Sequence, residues 1–370
     1  MSVYNCERFL REAMESILDQ SFRDFEFIVI DDGSTDRCPS ILDSYQKSDA
    51  RLTVYHQENR GLIESLNRGC SIARGKYMAR MDADDIAVRD RLTWQVEFLD
   101  THPKVAVVGG GVEWIDANGK SLIVCRHPSE DQQIKAALLR NCALWHPTVL
   151  LRKEVFVRAG GYRRVVVDAE DYDLWLRIAE HFELANLETI VLKYRIHADQ
   201  VTIRKAAQQV LGALAAQAAA SARKNGRPDP LDSIKQITPE TLATLGVTKA
   251  SQQRHLVSYR RDWIRILYLA GDYSAALEAA LDTLQPDLRY AERWQVADLY
   301  LVVAKIWLKQ KRFMKGFLAV VRALITSPVA ALQLLEAVLR RLLRVPFYDR
   351  IVTARPGARG AYSKRSRNED

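Results

Sequence analysis

Two rhythms of apolar residues alternate through the first ninety positions. Between residues 7 and 20, Phe9, Leu10, Ala13, Met14, Ile17 and Leu18 recur at helical spacing and mark one buried face. Residues 25–30 are a short apolar run of strand length that leads straight into Asp31-Asp-Gly-Ser-Thr-Asp36. Gly33 and Ser34 break that strand, and Ser34 to Asp36 can cap a helix over 39–46. A strand over 52–56, a turn at Asn59-Arg60-Gly61 and a helix over 62–73 ending near Gly75 follow. The next apolar strand starts at Tyr77 and runs into Asp82, Asp84 and Asp85. Helix, strand, helix, strand, helix, strand predicts an α/β fold, a parallel sheet wrapped by helices.

The pattern continues with a helix over 91–99, a strand over 105–108 and a hairpin, 112–115 against 121–124, turning at Asp116-Ala-Asn-Gly119. Gly109-Gly-Gly111 lacks the Lys-Ser/Thr or the G-x-G-x-x-G spacing of a phosphate loop, so it reads as a strand bend or a close backbone approach. A strand over 148–151, a turn at Gly160-Gly161-Tyr162 and a helix carrying Leu174, Trp175, Ile178 and Ala179 on one face come next. A strand over 189–194 then delivers Arg195 and His197 to one side. Beyond, an Ala-rich helix over 203–224 is broken by Asn225-Gly-Arg-Pro-Asp-Pro230, and only helices follow. The stretch from Gly271-Asp-Tyr is echoed about forty residues later from Lys311-Arg-Phe. Two degenerate copies make a weak tetratricopeptide-like signal, and a plain helical bundle is the stronger reading. The division expected is 1–200 for the α/β domain, 201–345 for a helical domain and 346–370 for a basic, disordered tail.

Composition and charge add direction. The 370 residues are 48% apolar, enough for two domains, and contain no apolar run of membrane-spanning length and no secretion signal. Five scattered cysteines without C-x-x-C spacing point to free thiols in a reducing cytosol. The net charge of +8 is uneven, because the last seventy residues hold fifteen Lys and Arg against four Asp and Glu. Basic positions interleaved with apolar blocks between Phe313 and Leu343, with Trp307, Phe313 and Phe317 as anchors, suit either an anionic membrane surface or a packed helix with a solvated basic face. No nucleic-acid-binding motif accompanies the charge. The expected location is cytoplasmic, peripheral to the inner face of the plasma membrane.

The candidate chemistry is acidic. An extended chain places Asp82 and Asp84 on one side of a strand tip, where a hard divalent ion, manganese or magnesium, relieves their repulsion. Asp31 and Asp32, at another strand tip on the same sheet edge, read either as turn and cap residues or, for Asp32, as the acceptor of a hydrogen bond from a base N–H. Helix capping accounts for one carboxylate at 168–173, but Asp168, Glu170, Asp171 and Asp173 are four. His146, in Trp145-His-Pro147, reads either as a site residue or as a structural histidine; His197 does likewise.

Val3-Tyr4-Asn5, Gln20-Ser-Phe22, Asp31 to Asp36, Asn59-Arg-Gly61, Asn67-Arg-Gly69, Ala73-Arg-Gly-Lys-Tyr77 and Asp82-Ala-Asp-Asp85 together resemble glycosyltransferase family 2, over roughly residues 1–200. The resemblance implies a GT-A fold, a Rossmann-like mixed sheet flanked by helices, followed here by an all-α region. It implies an inverting, metal-dependent transfer of a sugar from a nucleotide-diphosphate donor, UDP-sugars favoured, to a glycan or lipid-linked acceptor in bacterial surface-polysaccharide synthesis, such as lipopolysaccharide or capsule. By resemblance Asp171 is the catalytic base, with Glu170 beside it. Tyr4 and Asp32 meet the nucleotide base, and Asn59 and Arg80 lie nearby. Asp82 with Asp84 of the D-x-D motif meets ribose, diphosphate and metal. His146 approaches the donor sugar, Arg195 the phosphates, and His197 the metal or diphosphate. The family's first buried strand before Tyr-Asn is expected to be absent, so that the true start lies upstream or the product is truncated. A nucleotidyltransferase and a catalytically degenerate scaffold are the rival readings.

Overall fold

The computed structural model describes residues 1–197, 205–285, 288–327 and 329. Strand β1 (Ser2–Val3), helix α1 (Glu7–Leu18), strand β2 (Phe27–Asp31), helix α2 (Cys38–Ser48), strand β3 (Leu52–His56) and helix α3 (Leu62–Ile72) build a three-stranded parallel sheet in the order β1-β2-β3. The first strand, expected to be absent, is present as a two-residue stub. Ser2 and Val3 register with Ile30 and Asp31, and Val3 O accepts the Asp32 N–H at 2.8 Å. Two residues are too few to show a hydrophobic pattern. Asp36 ties the helices to this sheet, accepting from the N–H groups of Glu7 at 3.0 Å and Cys38 at 2.9 Å.

A six-stranded mixed sheet follows. It contains β4 (Tyr77–Ala79), β5 (Ile86–Ala87), β6 (Val105–Ile115), β7 (Ser121–Cys125), β8 (Leu150–Arg152) and β9 (Glu183–Arg195). The order is β4-β8-β6-β9-β5, with β7 on β6; β6 and β9 run parallel and the other pairs antiparallel. The strand leading to the aspartates therefore does not join β2 and β3 in a parallel sheet, as the element order suggested. It pairs antiparallel with β8, a partner more than seventy residues away that local periodicity cannot reveal. The sheets still share a core, in which Val3, Leu10 and Val29 pack with Met81, Val112 and Leu192. Helices α4 (Arg91–Thr101), α5 (Asp131–Leu138), α6 (Lys153–Arg158) and α7 (Glu170–Ala179) flank the mixed sheet.

Strand β6 runs unbroken through the three glycines, and β9 begins six residues earlier than the pattern indicated. The two observations have one cause. A Cβ at Gly110 would lie 2.7 Å from both Val191 methyls, and one at Gly109 would collide with Asn186 Oδ1, so only glycine lets the two longest strands lie this close. The register slips between Gly110 and Val112 absorb the misfit.

The C-terminal half is helical: α8 (Ala206–Lys224), α9 (Pro239–Thr244), α10 (Lys249–Leu269), α11 (Tyr273–Leu284), α12 (Arg293–Lys309) and α13 (Phe313–Thr326). The proposed boundary near 200 and the proposed tail 346–370 lie outside the described residues, as does the stretch 330–345. Helix α8 packs back onto the first half, where Val210, Leu214 and Ala215 meet Val166 and Ala169. The forty-residue echo has a structural meaning. In one hairpin Asp272 N–H bonds Leu267 O at 3.0 Å and Gly271 N–H bonds Tyr268 O at 3.2 Å. In the next, Arg312 N–H bonds Trp307 O at 2.8 Å and Lys311 N–H bonds Leu308 O at 3.0 Å, the same left-handed helix ending.

Candidate active site

Strand β4 stops at Ala79, and Asp82 to Asp85 form a turn that re-enters the sheet at β5. The carboxylates converge because the chain turns, not because an extended strand alternates its side chains. Asp82, Asp84 and Asp85 each bring an oxygen within 4.8 Å of the others. Burial, then the neighbouring Asp84, holds the Asp85 carboxyl well above its ordinary range. Its Oδ1 accepts the Arg195 N–H at 2.8 Å, while Oδ2 is buried without a hydrogen-bond partner. Burial also raises Asp82, against the pull of Arg80, with which it pairs. Asp84 Oδ2 lies 3.1 Å from His197 Nε2. Three crowded carboxylates, one orphaned buried oxygen and an imidazole fit a hard divalent cation.

Arg195, expected near the phosphates, is engaged by protein groups around the acidic turn. Its side chain is buried, donates from Nε to Asp84 O at 2.8 Å and from Nη1 to Ala117 O at 3.3 Å, and pairs with Glu12. Its guanidinium lies over the Phe9 ring, 4.7 Å from the centroid. The residue clamps the acidic turn from behind, a task its Tyr-Arg-x-His context does not announce.

The four acids before and within α7 sort into separate tasks. Asp173 is fully buried between Arg163 and Arg177, with Oδ2 accepting from each Nε at 2.9 Å. Asp168, with φ of 62°, pairs with Lys205 at 3.2 Å. Glu170 and Asp171 remain at the helix start; the cap position is Ala169, and Asp171 Oδ1 accepts the Tyr172 N–H at 2.7 Å. Burial pushes the Asp171 carboxyl up to about 6. Burial and the adjacent Asp171 push Glu170 up to about 8, and Glu170 Oε2 is buried without a partner. His146 Nε2 is 2.8 Å from Tyr162 Oη and its Nδ1 is 3.9 Å from Asp171 Oδ2. Burial, then Arg80, holds His146 well below its usual pKa, so the ring is neutral. Trp175, fully buried, meets the His146 ring edge-on at 6.0 Å between centroids.

Arg80 joins the two acidic groups. It is buried, pairs with Asp82, and its charge stabilises the ionised forms of Glu170 and Asp171. Tyr162, which reads in the sequence only as the end of a Gly-Gly turn, belongs to this cluster. So does Arg91, fully buried on a helix, whose Nη2 holds Arg80 O at 2.8 Å. A charged helical position gives no sequence signal for such burial.

Asp32 and its neighbours stand on the first sheet. Asp32 Oδ1 accepts from Gln57 Nε2 at 2.7 Å and from the Arg60 N–H at 2.8 Å; Oδ2 accepts the Gly61 N–H at 2.8 Å. The buried carboxylate thus fixes the loop that carries Asn59, which is itself exposed. Tyr4 is exposed, beside Asn5, whose Oδ1 accepts the Thr35 N–H at 2.8 Å.

Comparison with known proteins places this arrangement among relatives. The family described as Glycosyl transferase family 2 matches residues 1–156. The putative glycosyltransferase EpsE of Bacillus subtilis is 36% identical over 207 residues, covering 54% of this chain and 72% of that protein. The O-antigen biosynthesis glycosyltransferase WbnJ of Escherichia coli is 32% identical over 203 residues, covering 53% and 78%. Among solved structures, the mannosyltransferase PcManGT of Pyrobaculum calidifontis, in complex with GDP-Man and Mn2+, aligns with a TM-score of 0.47 at 19% identity, covering 88% of this chain and 84% of that one.

Proposed function

From a chain that belongs to glycosyl transferase family 2, we propose an inverting, metal-dependent transferase. It moves a sugar from a nucleotide-diphosphate donor, a UDP-sugar by preference, to a glycan or lipid-linked acceptor of a bacterial surface polysaccharide. The O-antigen role named for one relative supports the acceptor class. The observation that carries the mechanism is Arg80, buried against Asp82 on one side and acting on Asp171 and Glu170 on the other. It holds the cation site and the base in one electrostatic unit.

Asp82 and Asp84 would hold the divalent ion, with His197 beside Asp84. Bound there, the ion would supply positive charge to a departing diphosphate. Asp171 takes the proton of the acceptor hydroxyl as that oxygen attacks the anomeric carbon opposite the leaving group. Its pKa of about 6 leaves it ionised, yet basic enough to accept a proton near neutrality. A single displacement inverts the anomeric centre and needs no carboxylate nucleophile. His146, held by Tyr162, faces the base and excludes water from one side of it. Glu170, largely protonated at neutral pH, is placed to donate a hydrogen bond to the donor sugar. Tyr4, Asn59 and the Asp32 loop form the nucleoside end.

The test is hydrolysis and transfer across a panel of nucleotide sugars with manganese, comparing the wild type with Asp171→Asn and Asp84→Ala. Manganese-dependent sugar release that both variants lose supports the transferase. Release of pyrophosphate from a nucleoside triphosphate would indicate a nucleotidyltransferase, and no turnover of any donor would indicate a scaffold.

A further inference from the structure

Helix α13 is built inside out. Its buried positions are the smallest, Gly316, Ala319 and Ala323, and they seat it closely on α12, with the Gly316 backbone against the Leu308 side chain. Its large apolar side chains point away from the other described residues: Phe313 is 66% exposed, Phe317 62% and Ile325 78%, with Met314 and Leu318 also outward. At 100° per residue these five fall in one continuous arc of less than half the helix circumference. Lys315 and Arg322 lie along one edge of that arc. From Lys305 to Ser327 the chain carries six Lys and Arg and no Asp or Glu. An ordinary packed helix with a solvated basic face would bury its phenylalanines and expose only the cations.

We propose that this face of α13 docks on an anionic phospholipid bilayer. The apolar arc would enter the acyl boundary, and the adjoining cations would meet lipid phosphates. An apolar face alone would suit any hydrophobic partner. Unbroken positive charge beside it selects an anionic surface, and each cation near such a surface adds to the attraction. Trp307, expected from its sequence context to be an anchor, instead packs inward with Lys315 over its ring, 6.0 Å from the centroid, so Phe313 and Phe317 carry that role. Among the described residues no helix is long and apolar enough to cross a membrane, so attachment through this face would be peripheral.

The full-length protein is sedimented with vesicles of phosphatidylcholine, alone or mixed with phosphatidylglycerol, at low and high salt. Binding should require phosphatidylglycerol, weaken with salt, and fall about tenfold or more in Phe317→Glu and in Lys315→Glu/Arg322→Glu. Both variants should keep manganese-dependent donor hydrolysis, which shows that they fold; vesicle binding does not depend on the catalytic assignment. Equal binding to both vesicle types, no binding, or wild-type binding by Phe317→Glu overturns the proposal. So does a dimer in solution that Phe317→Glu dissociates, because the face would then cover a second copy. A photo-crosslinker at position 317 that captures residues 330–370 of its own chain in the presence of vesicles overturns it too, whereas capture of lipid supports it.

Discussion

His146 Nδ1 stands 3.9 Å from Asp171 Oδ2, too far for a hydrogen bond, while its other nitrogen is held 2.8 Å from Tyr162 Oη. The ring is therefore fixed by tyrosine and presented to the carboxylate without neutralising it. Asp171 Oδ1 accepts the Tyr172 N–H at 2.7 Å, Oδ2 faces the ring, and burial pushes the carboxyl up to about 6.

Transfer should accordingly rise from acid pH to a plateau, with a midpoint near that value, because only the ionised carboxylate accepts the proton. Asp171→Asn should retain donor binding and lose about 10²- to 10⁴-fold in turnover. A rate-against-pH profile at saturating donor checks both points. Wild-type transfer by Asp171→Asn would remove the residue from the role of base.

Asp84→Ala should abolish the manganese-dependent part of donor binding. In a thermal-shift titration, UDP with manganese should raise the wild-type melting temperature in proportion to the logarithm of ligand concentration above Kd. The variant should respond to UDP equally with and without manganese. An undiminished manganese response would place the ion elsewhere.

The loop over the first sheet should fail in two independent ways. Asp32→Ala strands the N–H groups of Arg60 and Gly61 and leaves the Gln57 amide only its Ser65 and Arg68 partners, a loss of about 1–3 kcal/mol. Gly33 has φ of 78°, and a Cβ there would lie 2.7 Å from the Asn59 nitrogen, so Gly33→Ala should displace the same loop. Both should weaken nucleoside binding, read by calorimetry with UDP, more than they slow turnover of bound donor.

The candidate acids are visible in the sequence, but not the partners each one has. Asp82, Asp84 and Asp171 stand out because clustered carboxylates exceed what turns and caps require. Asp32 reads either as a turn residue or as a base contact, and Arg195 as a phosphate contact by resemblance. The structure occupies Asp32 with backbone N–H groups and buries Arg195 behind the turn, since a side chain's partners depend on segments far away in sequence. The second sheet's order was hidden for the same reason: β4 pairs with β8 and β9 with β6 across long separations. The glycines of β6 read as a strand bend or a close approach, because a missing side chain is itself a local signal; the unbroken strand and the Val191 contact show the second.

His56 should make the first sheet's stability depend on pH. Burial opposes its charge, but hydrogen bonds to Asp31 at 2.7 Å and Asp43 at 3.1 Å prevail and raise its pKa. A raised folded-state pKa gives stabilisation that is full below the unfolded value of about 6.5 and lost as pH rises through the folded value. His56→Gln should therefore lower the urea midpoint more at mildly acid pH than at alkaline pH. An equal loss at both would mean that the ring contributes by packing alone.

Lys311 should be replaceable to advantage. It ends α12 with φ of 59°, where Gly271 ends α10 with φ of 83°, and the same two hydrogen bonds close each turn. Glycine adopts this left-handed geometry without cost, whereas a residue with a Cβ is strained there. Against that gain stands the greater freedom that glycine has in the unfolded chain, so the net stabilisation from Lys311→Gly should be about 0.5–1 kcal/mol. The mirror variant, Gly271→Ala, should lose about 1 kcal/mol. Melting temperatures of the two variants test this directly. A lower value for Lys311→Gly would show that the lysine side chain contributes more to the turn than its backbone strain removes.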